Sequence, residues 1–359
     1  MGEFDEYIRQ GEPGRSEKAA VWQTAIGLQD VDGLKPSQYL VDTARRHIEG
    51  DITIDEVRSL IDSYYKSKSV RDEADGERTE EADKVSANIA RILRSNTFSF
   101  STNGYVSLHR RIFEGVFEHA GEIREYDIAK REWVLDGDSV SYLNWEDIRR
   151  AVDYDIAQEK AFSYKGLDEG AVVNHLAKFI SGLWQIHAFC EGNTRTTAVF
   201  TIQYLRSMGF DVDNQLFARH SWYFRNALVR ANYRNIQKGI DYSPVYLARF
   251  LQNLLYGDSW DLKNRYLHMA PTVEWRDQPR LLKDSSGGVK LDGGGVNGSV
   301  KLEDSLLQII AEHPGLNAPM LSKMLQRSLR TTQRQLKSLS DSHKIEFRGA
   351  PKNGGYWEV

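Results

Sequence analysis

Features that would send this chain out of the cytosol are scarce in it. It has one cysteine, Cys190, so no disulfide can form within its 359 residues. That suits a reducing compartment. The opening residues, MGEFDEYIRQ, are acidic and polar with no apolar h-region, so no signal peptide is expected. Glu6 stands where a myristoylation motif needs Ser or Thr. No run of roughly 18 apolar residues is present to span a bilayer. A dominant charge sign is lacking as well, since a formal charge of −4 neither requires nor excludes a class of partner. The expectation is a cytoplasmic protein with no membrane partner, long enough for two or three units.

What is present is mostly helical periodicity. Residues 1–70 read as a small helical unit. In it Ser16 can cap a helix through Ala19, Val21, Trp22 and Ala25, and a second stripe runs over Tyr39, Leu40, Ala44, His47 and Ile48. Thr53-Ile-Asp-Glu56 has the form of a capping box. Residues 66–80 are charged and aperiodic, which predicts a linker. From about 82 to 270 the spacing predicts nearly continuous helix, including one stretch from Leu108 to Ala120 closed by Gly121 and another over Glu169–Ile186. The exception is a break at 122–144, where Asp136-Gly-Asp138 between two β-prone pieces signals a hairpin at about 129–143. Residues 285–300, SSGGVKLDGGGVNGSV, cannot pack a core and read as a tether. The segment 301–359 has three helical patterns followed by a two-stranded ribbon, the layout of a winged helix-turn-helix.

The chemistry concentrates in His187-Ala-Phe-Cys-Glu-Gly-Asn-Thr-Arg195. His187 closes a helix whose apolar face is already complete. Alone it reads as a satisfied helix-end histidine, but its pKa range also suits taking a proton from a hydroxyl. Phe189 reads as the core anchor of the loop. Glu191, alone a surface acid, offers hard oxygen to Mg²⁺. Gly192 and Asn193 open a helix near Thr194, where free N–H groups and the helix dipole favour an anion. Arg195 in that first turn opposes the dipole, a placement that makes sense when an anion lies between them and its fork of donors reaches it.

This run resembles the signature of Fic-domain proteins, His-x-Phe-x-Asp/Glu-Gly-Asn-Gly-Arg-x-x-Arg, and here stands as His187-Ala-Phe189-Cys-Glu191-Gly192-Asn193-Thr194-Arg195-Thr-Thr-Ala198. The stretch 108–128, LHRRIFEGVFEHAGEIREYDI, is similar to that family's early helix and following turn. The resemblance covers about 105–260. It implies a mainly α fold, a Fic-type helical bundle with a β-hairpin flap at about 129–143, within a core of 82–275. It implies transfer of AMP from ATP to a Ser, Thr or Tyr hydroxyl of a target protein or of the chain itself, releasing pyrophosphate. His187 would be the base, Glu191 would hold Mg²⁺, Gly192, Asn193 and Thr194 would cradle phosphate, and Arg195 would meet its β/γ end. Tyr223 is a candidate adenine-pocket aromatic, with a core tyrosine as its other reading. The target protein is not legible, because recognition by strand addition at the flap is largely main-chain.

The family pattern is broken at Ala198, where a second arginine is usual. In the family that arginine meets the γ-phosphate and pairs with an inhibitory glutamate from a Ser/Thr-x-x-x-Glu-Gly/Asn helix. The 1–70 unit resembles an antitoxin-type inhibitory domain, but Ala25, Gln29 and Asp30 replace the three motif residues. With both charges missing, residues 16–31 are expected to pack on the core yet obstruct ATP only weakly. Deletion of 1–70 should then give no large gain. Thr194 also replaces the usual glycine. At the C-terminus, Arg327, Arg330, Thr331, Thr332 and Arg334 near a recognition-type helix, with Lys352 and Asn353 at a wing tip, suit DNA contacts. Protein docking or a homodimer is the competing use. Two alternatives to protein adenylylation stay open: a DNA-binding regulator whose Fic core is inactive or modifies only itself, and transfer of another phosphate-linked group.

Overall fold

The computed structural model describes residues 3–67, 76–95, 97–210, 212 and 214–269, then 306–307, 309–311, 314–324, 332–333, 336–337, 339–340, 343–348 and 355–358. The Gly-rich stretch 285–300 lies outside these residues, as do Arg327, Arg330, Thr331, Arg334, Lys352 and Asn353.

The fold is mainly helical. Helices α1 (Asp5–Gln10), α2 (Pro13–Gly27), α3 (Gln38–Glu49) and α4 (Ile54–Lys66) lead into α5 (Gly76–Leu93) and α6 (Thr102–Phe113). Then come α7 (Ile148–Ala161), α8 (Glu169–Ile186), α9 (Asn193–Ser207), α10 (Asn214–Asn232) and α11 (Val245–Tyr256). A short α12 (Ala318–Met324) precedes strands β1 (Ile345–Arg348) and β2 (Gly355–Glu358). The strands form the terminal ribbon that the sequence predicts, antiparallel from Ile345↔Glu358 to Arg348↔Gly355.

Local signals act where they stand. Thr53 and Glu56 close a reciprocal capping box on α4: the Thr53 N–H reaches the Glu56 carboxylate at 2.7 Å and the Glu56 N–H reaches the Thr53 hydroxyl at 3.2 Å. Asp168 caps α8 through the Ala171 N–H at 2.7 Å. Every residue of α9 from Asn193 to Leu205 is buried, so this helix is the axis around which the others pack. Its polar side chains turn back on the structure, as when Thr201 donates to the Thr197 carbonyl at 2.8 Å.

One continuous cluster of buried side chains runs from Phe4 and Trp22 through Phe113 and Leu183 to Leu267. The buried residues of 1–70 are part of it. Gly27 of α2 lies against the Ala218 backbone of α10, where a Cβ would meet the Ala218 carbonyl oxygen at 2.5 Å. The Ser221 hydroxyl donates to the Gly27 carbonyl at 2.7 Å. Leu306, Ile310, Leu321, Leu336, Leu339 and Ile345 form a second, smaller cluster.

Four expectations are corrected. Ser16 does not cap α2, which starts at Pro13 in the first helical position; the Ser16 hydroxyl donates to the Ile8 carbonyl instead. The charged segment 66–80 is not all linker, because α5 begins at Gly76. The helix predicted to reach Ala120 stops at Phe113. There the Phe113 carbonyl takes the N–H groups of Val116 and Phe117, Asn88 holds the carbonyls of Ile112 and Glu114, and Gly115 turns the chain with φ 76°.

Finally, 129–143 forms no β-hairpin. A 3₁₀ turn at Trp133–Leu135 and a left-handed Asp136 occupy it. Val134 and Leu135 are both buried although adjacent, as the tight turn allows and a hairpin with one open face would not. The Glu132 side chain is drawn inward to Arg225 at 2.8 Å. Among the described residues, no helix is long and apolar enough to cross a membrane.

Candidate active site

The motif loop spans the junction between α8 and α9. Three supports fix its backbone. The Asn193 side chain bonds both ways with Phe189, accepting from its N–H at 2.9 Å and donating to its carbonyl at 2.7 Å. Gly192 sits at φ 72°, and a Cβ there would come within 2.1 Å of the Phe113 ring. Both facts demand glycine. Beneath the loop, His109 of α6 stacks on Phe189 at 3.8 Å. Its Nδ1 accepts from the Gly121 N–H at 2.8 Å, so its Nε2 carries the proton and donates to the Glu191 carbonyl at 3.1 Å. Burial pushes the His109 imidazole down to about 3, which keeps it neutral in this role.

His187 caps the C-terminus of α8 in a left-handed conformation, φ 50° and ψ 59°. Its Nδ1 lies 3.3 Å from the Trp184 carbonyl. A carbonyl only accepts, so Nδ1 carries the proton and Nε2 presents a lone pair. That Nε2 is buried and has no hydrogen-bond partner among the described residues. Burial holds the His187 pKa well below its ordinary value, and the charges of Lys130, Arg124 and Arg225 push in the same direction. The Tyr142 ring covers the imidazole at 4.1 Å, and its hydroxyl donates to Glu132 at 3.2 Å.

Arg124 is a residue that the sequence reading quoted without a role. Its side chain is wholly buried. It donates from Nε to the His187 carbonyl at 2.7 Å and from a terminal nitrogen to the Ile186 carbonyl at 3.3 Å. It also reaches the carbonyls of Tyr126 and Leu143. A guanidinium on the last carbonyls of α8 suits the helix dipole and ties the histidine to both ends of the 126–143 segment. The signal that could have found it, as with His109, is its place in the 108–128 stretch.

Arg195 is held by the N-terminal elements. Its Nε lies 2.8 Å from Asp32, one terminal nitrogen 2.6 Å from Glu81 of α5, and the other 3.1 Å from the Gln29 amide oxygen. The Gln29 amide nitrogen donates to the Ala25 carbonyl at 2.8 Å, which orients the oxygen toward Arg195. The guanidinium also lies 4.8 Å over the Phe113 ring. Gln29 thus meets Arg195 with a neutral amide, and the carboxylates come from Asp32 and Glu81.

The remaining candidates divide. Thr194 accepts a hydrogen bond from the Trp184 indole at 3.0 Å, tying α9 to α8. Tyr223 takes its core reading: it is buried between α10 and α11 with its hydroxyl on the Tyr246 carbonyl at 3.3 Å. Glu191 is the exposed acid of the loop, its side chain 57% accessible and 3.6 Å from the Lys130 ammonium. Among the described residues no group of three or more His, Cys, Asp or Glu side chains gathers to hold a metal. A single open carboxylate fits Mg²⁺ that takes its other ligands from phosphates and water.

The Fic/DOC family matches residues 99–205, which contain His109, Arg124 and the whole motif loop. Protein adenylyltransferase VbhT of Bartonella schoenbuchensis is 24% identical over 224 residues, covering 58% of this chain and 46% of that protein. The chain thus spans about half the length of that relative. Solved structures also align. The N-terminal Fic domain of a VirB-translocated Bep effector protein from Bartonella quintana does so at 18% identity and TM-score 0.39, over 52% of this chain and 86% of that one. A Fic family protein from Desulfovibrio desulfuricans G20 does so at 13% identity and TM-score 0.40, over 99% of this chain and 94% of that one. Residues 99–205 are a Fic/DOC-family domain, homologous to that of protein adenylyltransferases.

Proposed function

We propose that the chain transfers AMP from ATP to a hydroxyl of a protein, another or itself. The observation that carries this reading is the buried, unpartnered Nε2 of His187, whose tautomer is set by the Trp184 carbonyl. His187 accepts the hydroxyl proton as the oxygen attacks the α-phosphorus; the bond from that phosphorus to the bridging oxygen breaks and pyrophosphate leaves. The backbone N–H groups at the start of α9, shaped by Gly192 and Asn193, face the phosphate charge. Glu191 would hold Mg²⁺, which when bound neutralises charge developing on the phosphates. His109 and Arg124 act through the loop as positioning residues. Incubation with ATP labelled at the α or the γ position tests this. Label that reaches protein from the α position only, and requires His187, supports it. Transfer of γ-label would refute it.

Two finer readings have their own support. Arg195 is held by Asp32 and Glu81, and Ala198 carries no charge, so the distal phosphates have fewer cations than the family pattern supplies. This favours a donor with a shorter phosphate chain as the second substrate class to test. At the C-terminus, the separate small core and the β1–β2 ribbon support a winged helix over 301–359. Duplex DNA binding that weakens with salt supports that assignment, and no binding at low salt counts against it.

A further inference from the structure

Among the described residues four cations bear on the motif loop or its histidine, and three of them are held by other partners. Arg195 is held by Gln29, Asp32 and Glu81. Arg124 is buried on backbone carbonyls. Arg225 is paired with Glu132 at 2.8 Å and lies over the Trp222 ring. The fourth is Lys130, at the root of the 129–143 segment, where the Ser139 hydroxyl accepts its backbone N–H at 3.3 Å. Its partner is the open Glu191 carboxylate at 3.6 Å, with side chains 32% and 57% exposed. That distance is an ion pair without a short hydrogen bond, so the ammonium on its four-carbon stem is held loosely. Lys130 is also the largest charge contribution acting on His187. It therefore lies against the acid and within electrostatic reach of the base.

Resting on the adenylyl-transfer reading, we infer that Lys130 is a phosphate-binding residue of this site, supplying from the 129–143 segment the cationic charge that Ala198 lacks and Arg195 does not have free. Its ammonium exchanges the Glu191 carboxylate for the donor's diphosphate. That exchange costs little, because a half-exposed pair at this distance contributes little to stability.

The test is direct binding of adenosine, ADP and ATP to the full chain by calorimetry, with Mg²⁺ and with EDTA, for wild type, Lys130→Met and Lys130→Arg. Lys130→Met is expected to weaken ADP and ATP about ten-fold or more, to leave adenosine unchanged, and to do so in EDTA as well. Lys130→Arg is expected to restore most of the loss. Equal weakening of all three ligands would mean a structural role and overturn the proposal. So would an effect seen only with Mg²⁺, because Lys130 would then act through Glu191. Unchanged binding by Lys130→Met, beside His187-dependent α-labelling in wild type, overturns the proposal and leaves the adenylyl-transfer reading standing. A wild-type chain that binds no nucleotide and transfers no label overturns both.

Discussion

Two histidines in the site are neutral for opposite purposes. His109 uses both ring nitrogens to hold the loop, whereas His187 uses one and leaves the other bare. Because the His187 pKa lies well below its ordinary 6.5, the base form persists into acid. The acid limb of kcat/KM for adenylylation should therefore fall well below pH 6.5. A limb at or above pH 6.5 would mean that the imidazole is solvated during catalysis. The loop's backbone was legible in the sequence because it needs particular residue types, glycine at positive φ and asparagine to close the turn. His109 and Arg124 were not. Their roles depend on which carbonyls and N–H groups face them, and those groups come from segments 12 to 82 positions away in sequence. Tyr223 admitted two readings in the sequence because an aromatic at helical spacing looks the same in a core and in a pocket; its side chain is buried against Tyr246 and Phe250.

At the scale of elements, the decisive contact joins the 3₁₀ turn at Leu28–Asp32, α5 and the first turn of α9 through Arg195. Sequence analogy located the segment near Gln29 and foresaw that its charge pairing with position 198 is lost. It did not foresee that Asp32 and Glu81 recapture Arg195, because Glu81 belongs to another helix. The N-terminal elements thus hold Arg195 through two carboxylates. Deletion of 1–70 is a poor probe of it, because Trp22 and its neighbours belong to the main core. Asp32→Asn combined with Glu81→Gln is better. It leaves a buried guanidinium without a carboxylate, and chemical denaturation should show a loss of about 3 kcal/mol. The freed arginine should also tighten ATP binding. Unchanged stability and unchanged affinity would show that the clamp is incidental. The 129–143 segment marks the limit of turn chemistry: Asp-Gly signals a reversal, and a reversal occurs, but the adjacent burial of Val134 and Leu135 and the inward Glu132 exclude paired strands.

For the molecule as a whole, helix content and most helix positions follow from apolar spacing, and the terminal ribbon from its turn residues. The continuity of the core from Phe4 to Leu267 does not, since periodicity identifies a buried face without saying what covers it. The buried histidines give the fold a pH signature. The pKa of His47 falls to about 4 and that of His109 to about 3 through burial. Unfolding lets each bind a proton below about 6.5, so the stabilisation is complete above that pH and is lost as pH falls toward the folded values. At about 1.4 kcal/mol per pH unit for each group, these two rings should contribute a drop of about 3 kcal/mol from pH 7.5 to 5.5, with His187 adding in the same direction. Urea melts across that range check it, and His109→Asn should flatten the slope. A flat wild-type profile would contradict the burial of these rings as neutral species.

The most direct measurement is label transfer from α-labelled and γ-labelled ATP to protein, with Mg²⁺ and cell extract, comparing wild type with His187→Ala. The account predicts α-label on protein, none from the γ position, and loss of the signal in His187→Ala to background. Labelling that survives His187→Ala, or that comes from the γ-phosphate, would contradict it.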